Sequence, residues 1–466
     1  MLYYDVYDQL MQGLVTASLL SDVRRRAQEQ ALAWDMAAGN YMPFPGEISP
    51  VPKAEEAVQA YWRLLRLVEP IGPQILRTRL WGIGNVQWGD PDHGGAGDRE
   101  KDRADTAEID AMLEDVDLMT LTRRCFEQAF TGGITAVWAR MDEDKNKPVL
   151  TRLGGYLQPL TDPDNVDSID ALLQAWQPDG ATKGDTWTVR VYDYVAMELR
   201  IHERVRDPSR AIGLRPTDVR PLDTVPHVMI AYLDAAGLPV GEMVQGMHLV
   251  RQNIAIQLRI QRVAEMYGFP VPVVKDLANV PRDFGPGKVV QVGANGSFDY
   301  AFPPGLDELI QHYQSNIERI RDNFALPGGA LGGQTPSGEA LKEANARYAQ
   351  VNRYYADGLG SMLTRAVSDL ARLRGIQPVE VSVSSSDPNR QQEVISLVKD
   401  LYNAGVIPLS AAARAVQEFI PSWSDEDLDE WIDSQSSSGS AARIRQLLGG
   451  NLGVTGGGSG GTGQTG

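Results

Sequence analysis

Apolar residues recur at steps of three and four along two long stretches, and these stretches organise the chain. From Leu306 to Phe324, the positions Leu306, Leu309, Ile310, Tyr313, Ile317, Ile320 and Phe324 fall on one stripe of an α-helix. From Ser337 to Gly375, Leu341, Ala344, Tyr348, Val351, Tyr355, Leu359, Leu363, Ala366, Leu370 and Leu373 share a face. At 1.5 Å per residue this second helix is predicted to be roughly 55 Å long if straight. A helix of that length has to bury its stripe against several elements or against neighbouring subunits. Gly358 and Gly360 lie inside it, each costing roughly 0.5 to 1 kcal/mol relative to Ala, which predicts a bend between Asp357 and Ser361. The two helices are joined by Leu326, Pro327, Gly328, Gly329, Ala330, Leu331, Gly332, Gly333, Gln334, Thr335 and Pro336, a loop with no ionisable side chain.

The rest of the chain alternates between helical and extended texture. Residues 1–40 read as helix and carry the triplet Arg24, Arg25 and Arg26, which reads as a solvated face. Tyr41 to Pro52 is a proline-rich break. Helical periodicity resumes from Glu55 to Val68, Trp81 to Gly89 is extended, and Asp105 to Phe130 reads as one helix with acids early and Arg123 and Arg124 late. Short alternating runs follow at Ile134 to Met141, Pro148 to Leu153, Thr186 to Tyr194, Met197 to Val205 and Val225 to Tyr232, predicting a mixed, mostly antiparallel region. Glu242 to Tyr267 is the next long helix, and Phe269 to Pro304, rich in Pro and Gly, holds short strands at Val271 to Lys275 and Lys288 to Val292. After Gly375 come a strand, Val379 to Ser384, and short helices at Gln391 to Asn403, Ser410 to Phe419 and Asp425 to Ile432. Gly449 to Gly466 lacks the apolar content to offset its ordering entropy and is expected to be disordered. The fold class is α+β, predominantly helical, with more than one domain expected at 466 residues.

Composition narrows the chemistry. The net charge is −17, from 44 basic and 61 acidic residues, a poor balance for wrapping nucleic acid. Cys125 is the only cysteine, which excludes an internal disulfide and reads as a small hydrophobe on its helix. No apolar run approaches the roughly 20 residues that a membrane span needs. No GxxxxGK[ST] phosphate cradle and no GxSxG elbow is present. His93, His202, His227, His248 and His312 are scattered, without metal-ligand spacing. Asp142, Asp144 and Asn146 imitate the start of a calcium loop, but Lys147 stands where the turn needs Gly and Leu153 where a bidentate Glu is required, so a hairpin turn explains them better. The acids Asp105, Glu108, Asp110, Glu114, Asp115 and Asp117 read as a charged helix face. No cofactor and no catalytic or metal residue is assigned.

A helix, then Phe324-Ala325-Leu326-Pro327-Gly328-Gly329, then Thr335-Pro336-Ser337-Gly338-Glu339 entering a very long helix, resembles the portal protein of tailed bacteriophages. The bracketing of Phe269 to Pro304 by two helices fits the same family. The resemblance implies a wing at 1–240, stem helices at 241–268 and 305–325, and a clip at 269–304 with Lys275, Arg282 and Lys288 as candidate partner contacts. It further implies a tunnel loop at 326–336, a long wing helix and strand at 337–388 kinked at Gly358 and Gly360, a crown at 389–448 and a tail at 449–466. It also implies a homo-oligomeric ring of about twelve copies, formally about two hundred negative charges in all. Asp307, Glu308, Glu318 and Asp322, beside Arg319 and Arg321, are its candidate channel charges. The implied partners are double-stranded DNA, the large subunit of an ATP-hydrolysing terminase, the major capsid and scaffolding proteins, and a head-completion or adaptor protein. The implied location is the portal vertex of a virion, and the host cytoplasm during assembly, with no membrane and no enzymatic activity. The rival readings are another helical virion assembly protein, such as a scaffold or adaptor, and a metal-dependent nuclease.

Overall fold

The computed structural model describes residues 17–40, 68, 70–89, 113, 116–142, 147–162, 165–176, 187–205, 215–235, 237–267, 271–277, 292–301, 306–332, 337–403 and 412. The chain divides into two compact units, Met1–Pro388 and Asn389–Gly466.

The first unit opens with α1 (Ala17–Ala38), α2 (Ile71–Trp81) and β1 (Ile83–Gly89). Next come α3 (Leu118–Gly132) and the antiparallel strands β2 (Ile134–Asp142), β3 (Lys147–Arg152), β4 (Tyr156–Asp162), β5 (Asn165–Trp176), β6 (Trp187–Asp193), β7 (Glu198–Val205), β8 (Asp218–Pro221) and β9 (His227–Ile230). They form a three-stranded sheet in the order β3-β2-β9 and a five-stranded meander, β4-β5-β6-β7-β8. β2 pairs with β3 with Asp142 opposite Lys147, while Asp144 and Asn146 of the calcium-like run lie outside the described residues. The extended region is larger than the sequence pattern predicted, because β4, β5 and β8 carry Gln, Pro and Asp that blur the alternation.

The expected single helix from Asp105 to Phe130 is instead broken before Leu118. The Asp117 carboxylate accepts a hydrogen bond from the Thr120 amide at 2.9 Å and begins a new helix as its N-cap. The Thr120 hydroxyl and amide hold that carboxyl below its usual range. α3 ends at Gly133, whose φ of 83° is left-handed, and the chain turns directly into β2.

The remaining elements of this unit are α4 (Glu242–Tyr267), the β10–β11 hairpin (Val271–Leu277 and Val292–Ala301), α5 (Leu306–Asn323), α6 (Gly338–Arg374) and β12 (Glu380–Ser385). β11 takes in Val292, the last residue of the strand expected at Lys288 to Val292, and 288–291 lie outside the described residues. β12 pairs antiparallel with β1, far away in sequence, with Trp88 opposite Val381. α6 holds β12 through Thr364, whose hydroxyl oxygen accepts from the Val381 amide at 2.8 Å, and through Ser368, which donates to the Val379 carbonyl at 3.1 Å.

α6 runs unbroken from Gly338 to Arg374, through both Gly358 and Gly360. A Cβ at Gly358 would press on the Met229 side chain of β9 at 2.9 Å, and one at Gly360 would lie 3.3 Å from the Val381 carbonyl of β12. Both glycines therefore let a strand approach the helix closely.

α2, α3, α4, α5 and α6 share one core. Phe126 lies 5.0 Å from Tyr355 edge-on, and Phe130 packs 6.0 Å from Phe324. In its middle, Arg79 of α2, with no solvent exposure, pairs with Glu242 of α4 at 3.1 Å. Its guanidinium also sits 5.6 Å from the Tyr355 ring centre and 5.9 Å from that of Phe130. In the second unit, α7 (Pro388–Asn403) packs Val398 with Ala412, Val394, Ile395 and Tyr402. The expected helices at Glu55 to Val68, Ser410 to Phe419 and Asp425 to Ile432, and the Gly-rich tail, lie outside the described residues save for Val68 and Ala412.

Removing one partner of a buried ion pair strands the other charge in the interior. Arg79→Ala is therefore expected to lower the free energy of urea unfolding by about 3 to 5 kcal/mol, whereas Arg79→Met combined with Glu242→Leu should restore most of that loss.

Candidate functional site

The segments singled out by the sequence pattern assemble into one substructure. α4 and α5 run antiparallel: Gly246 lies against Phe324, the Leu249 carbonyl accepts from Asn316 at 3.2 Å, and Gln257 donates to the Tyr313 hydroxyl at 3.3 Å. A Cβ at Gly246 would fall on the Phe324 ring, so glycine sets how closely the helices approach. Met243, Leu249, Val250, Ile254 and Leu258 meet Ile317, Ile320 and Phe324 in the core.

Burial then stops. Among 259–264 and 306–315 no residue is buried. Ile260, Val263, Leu306, Leu309 and Tyr313 are half-buried, and Ile310 is 39% exposed. The single stripe predicted for α5 is thus split, one half packed in its own chain and the other half left partly open. The β10–β11 hairpin follows at this less buried end, with Lys275 of β10 opposite Ser297; Arg282 and Lys288 lie outside the described residues.

Of the charges assigned to a channel face, Asp307, Glu308, Glu318, Arg319 and Asp322 are exposed. Arg321 is buried, a departure from the expectation. It stands one helical turn after Ile317, on the packed side of α5, and its carbonyl accepts from the Leu326 amide at 2.9 Å.

The uncharged loop is anchored at its start. Phe324 and Leu326 are fully packed, and Ala325 turns the chain with φ 44°. The Gly328 amide donates to the Asn345 side chain of α6 at 3.2 Å, and the Ala330 amide donates to the Pro327 carbonyl at 3.1 Å. Ala330 to Gly332 form one 3₁₀ turn, with Ala330 and Leu331 resting on the core. Leu331 has φ 64°, a left-handed conformation costing roughly 1 to 2 kcal/mol for a residue with a side chain. Gly329 and Gly332 are exposed, and Gly333, Gln334, Thr335 and Pro336 lie outside the described residues. Ser337 then takes the N-cap position of α6.

Elsewhere the candidate chemistry is occupied by packing. Cys125 is buried, and desolvation pushes its thiol up to about 11. His227 meets Asp369 at 2.9 Å, a ring nitrogen of His248 lies 3.1 Å from the Gln245 carbonyl, His202 is buried, His312 is exposed, and His93 lies outside the described residues. Arg25 pairs with Glu29 at 2.8 Å and Arg26 with Asp234 at 3.0 Å, so part of the arginine triplet is structural. Among the described residues no three His, Cys, Asp or Glu side chains converge on a metal position, and no helix is long and apolar enough to cross a membrane. The Arg79–Glu242 pair gave no signal in the sequence, since neither residue belongs to a motif and 163 positions separate them.

No family model and no curated protein matches the chain. Solved structures are distantly similar. A chain in the neck of an empty GTA particle, computed with C6 symmetry, shares 11% identity at a TM-score of 0.43, over 77% of this chain and 93% of that one. A chain in the neck of a native GTA particle, computed with C12 symmetry, shares 12% at 0.39, over 78% and 94%. A chain in the virion of a native gene transfer agent particle shares 11% at 0.40, over 84% and 99%. Likeness this distant does not transfer a function.

Two outcomes follow from the packing. Gly246→Ala is expected to force α4 and α5 apart and lower the unfolding free energy by about 1 to 3 kcal/mol, with Phe324→Leu in the same chain recovering part of it. Cys125 is expected to resist alkylation in the folded chain and to react readily in denaturant. Because the unfolded thiol ionises at about 8.5 and the folded one only at about 11, its contribution to stability should fall as pH rises through that interval.

Proposed function

We propose that this chain is the subunit of a ring-shaped conduit for double-stranded DNA at one vertex of a phage-like capsid, that is, a portal protein. The single observation that carries this reading is the abrupt end of burial along the α4–α5 pair. Half of an antiparallel helix pair, with Leu306, Leu309, Ile260 and Val263 only half-buried and Ile310 exposed, is not buried among the described residues. In a closed ring those side chains meet the next copy, each subunit giving one face and receiving another. The order of elements supports the same reading, with a strand hairpin between two stem helices and then an uncharged turn leading into a 37-residue helix.

On this reading the exposed acids Asp307, Glu308, Glu318 and Asp322 outnumber the nearby exposed Arg319, so a bore lined by α5 repels phosphate and holds DNA only loosely. The exposed Gly329 and Gly332 of the loop face the bore. Lys275, Arg282 and Lys288, in the segment of the sequence between the two stem helices, contact the terminase or a head-completion protein, and the sheet region contacts capsid or scaffolding protein. Energy for translocation comes from the terminase, and this chain binds no cofactor.

Electron microscopy of the purified full chain tests the proposal: rings with a central hole are expected, in about twelve copies. Ile310→Asp should abolish rings while leaving the thermal midpoint of the monomer unchanged, since Ile310 packs little within its own chain. Compact wild-type monomers that cleave DNA with magnesium would sink the reading.

A further inference from the structure

The two stem helices carry opposite charge on their outer faces. Between Met243 and Ala264, α4 has no acidic residue, and its exposed His248, Gln252, Arg259 and Arg262 recur at helical steps along one stripe. On α5 the exposed Asp307, Ile310, Gln314 and Glu318 recur at steps of three and four. At about 3.6 residues per turn, both stripes are centred more than a right angle away from the seam where Gly246, Leu249 and Gln257 meet Phe324, Asn316 and Tyr313. One helix pair thus presents a cationic face and an acidic face at once, to two different neighbours.

The seam also sets the heights of these residues. Gly246 lies against Phe324, Leu249 against Asn316 and Gln257 against Tyr313. Extending that antiparallel register puts Arg259 and Arg262 level with Asp307 and Ile310, and His248 level with Glu318. Rotation about a ring axis does not move a copy along the axis, so in a closed ring the same levels meet between one copy and the next.

We infer that the cationic stripe of α4 in one copy docks against the acidic stripe of α5 in the next, with Arg259 and Arg262 opposite Asp307 and with Ile310 seated between the helices. This rests on the conduit reading and names the two faces that close the ring. Burial and charge agree on it, since Arg259, Arg262, Asp307 and Ile310 all fall in the stretches 259–264 and 306–315, where no residue is buried. A contact of α4 with α4, or of α5 with α5, would instead set like charges opposite one another. The head-to-tail contact matches opposite charges at every junction, and contacts of that kind close into rings. Exposed ion pairs add little strength each, so they select the face and the register while the apolar residues supply the driving force. Glu308 and Asp322, beside Arg319, lie further round α5 and are left for the bore.

The test is charge reversal in the full chain, read by mass photometry and electron microscopy at about 0.1 M salt. Arg259→Glu with Arg262→Glu, and separately Asp307→Lys with Glu318→Lys, are each expected to raise the concentration needed for rings by about tenfold or more. All four residues are exposed, so both variants should fold, and circular dichroism checks this. Mixed in equal amounts the two variants should form rings again, because α4 of each then meets an α5 of opposite charge. At about 1 M salt, where the screening length falls to about 3 Å, each variant should assemble as the wild type does. Rings of either variant alone at the wild-type concentration, or a mixture no better than its components, would overturn this pairing and leave the conduit reading standing. Wild-type chains that form no rings, or only a two-fold dimer, would overturn both.

Discussion

A guanidinium with no access to water has to be paired, stacked and enclosed, and at Arg79 these requirements draw four helices to one point. α2 supplies the cation, Glu242 at the first residue of α4 supplies the anion, and Phe130 of α3 and Tyr355 of α6 supply ring faces. Desolvating such a pair costs several kcal/mol per ion, so it persists only where the geometry around it is firmly held. The neighbouring hydroxyls register the same environment: burial first, and the Glu242 charge second, push Tyr232 up to about 12 and Tyr355 well above the ordinary range. Because Glu242 begins α4, the pair fixes where the helix pair leaves the core.

That fixed root contrasts with the other end. Past Leu258 and before Asn316 the two helices keep each other company, but among the described residues none of 259–264 and 306–315 is buried. Fully burying a Leu or Ile side chain is worth about 1.5 to 3 kcal/mol, so several half-covered ones leave an appreciable driving force unused in a single copy. In the proposed ring a heterologous contact with the next subunit uses it without requiring new surface, since such contacts close into rings when the rotation permits. The physical case for a conduit rests on this difference between the two ends.

Much of the helical framework was legible in the sequence. The bounds of α4 agree with its periodicity, α5 and α6 differ from theirs by a residue or so, and β12 follows its alternation. Such stretches are legible because one face is apolar over many turns. Legibility failed where a single residue outweighed the pattern: Asp117 restarts a helix that periodicity would have carried through, and Arg79 is buried although arginine is among the residues least often found inside. At the candidate site, the exposed acids of α5 agree with its polar face, whereas Arg321 shows that the charge of a side chain does not tell which way its position points.

The glycines carry the last step. Gly246, Gly358 and Gly360 each sit within a helix, where their cost in propensity would ordinarily mark a weak point. In the structure each is met by a neighbour that a Cβ would displace: Phe324 at Gly246, Met229 at Gly358 and the Val381 backbone at Gly360. The loss in helix propensity is thus offset by closer packing, which binds α6 to β9 and β12 along its middle. The loop meets the same helix near its start, through the Gly328 amide and Asn345. A long helix clamped by strands in its middle and joined to the loop near its N-terminus acts as a strut, so the first part of the loop, Leu326 to Leu331, is held against the framework.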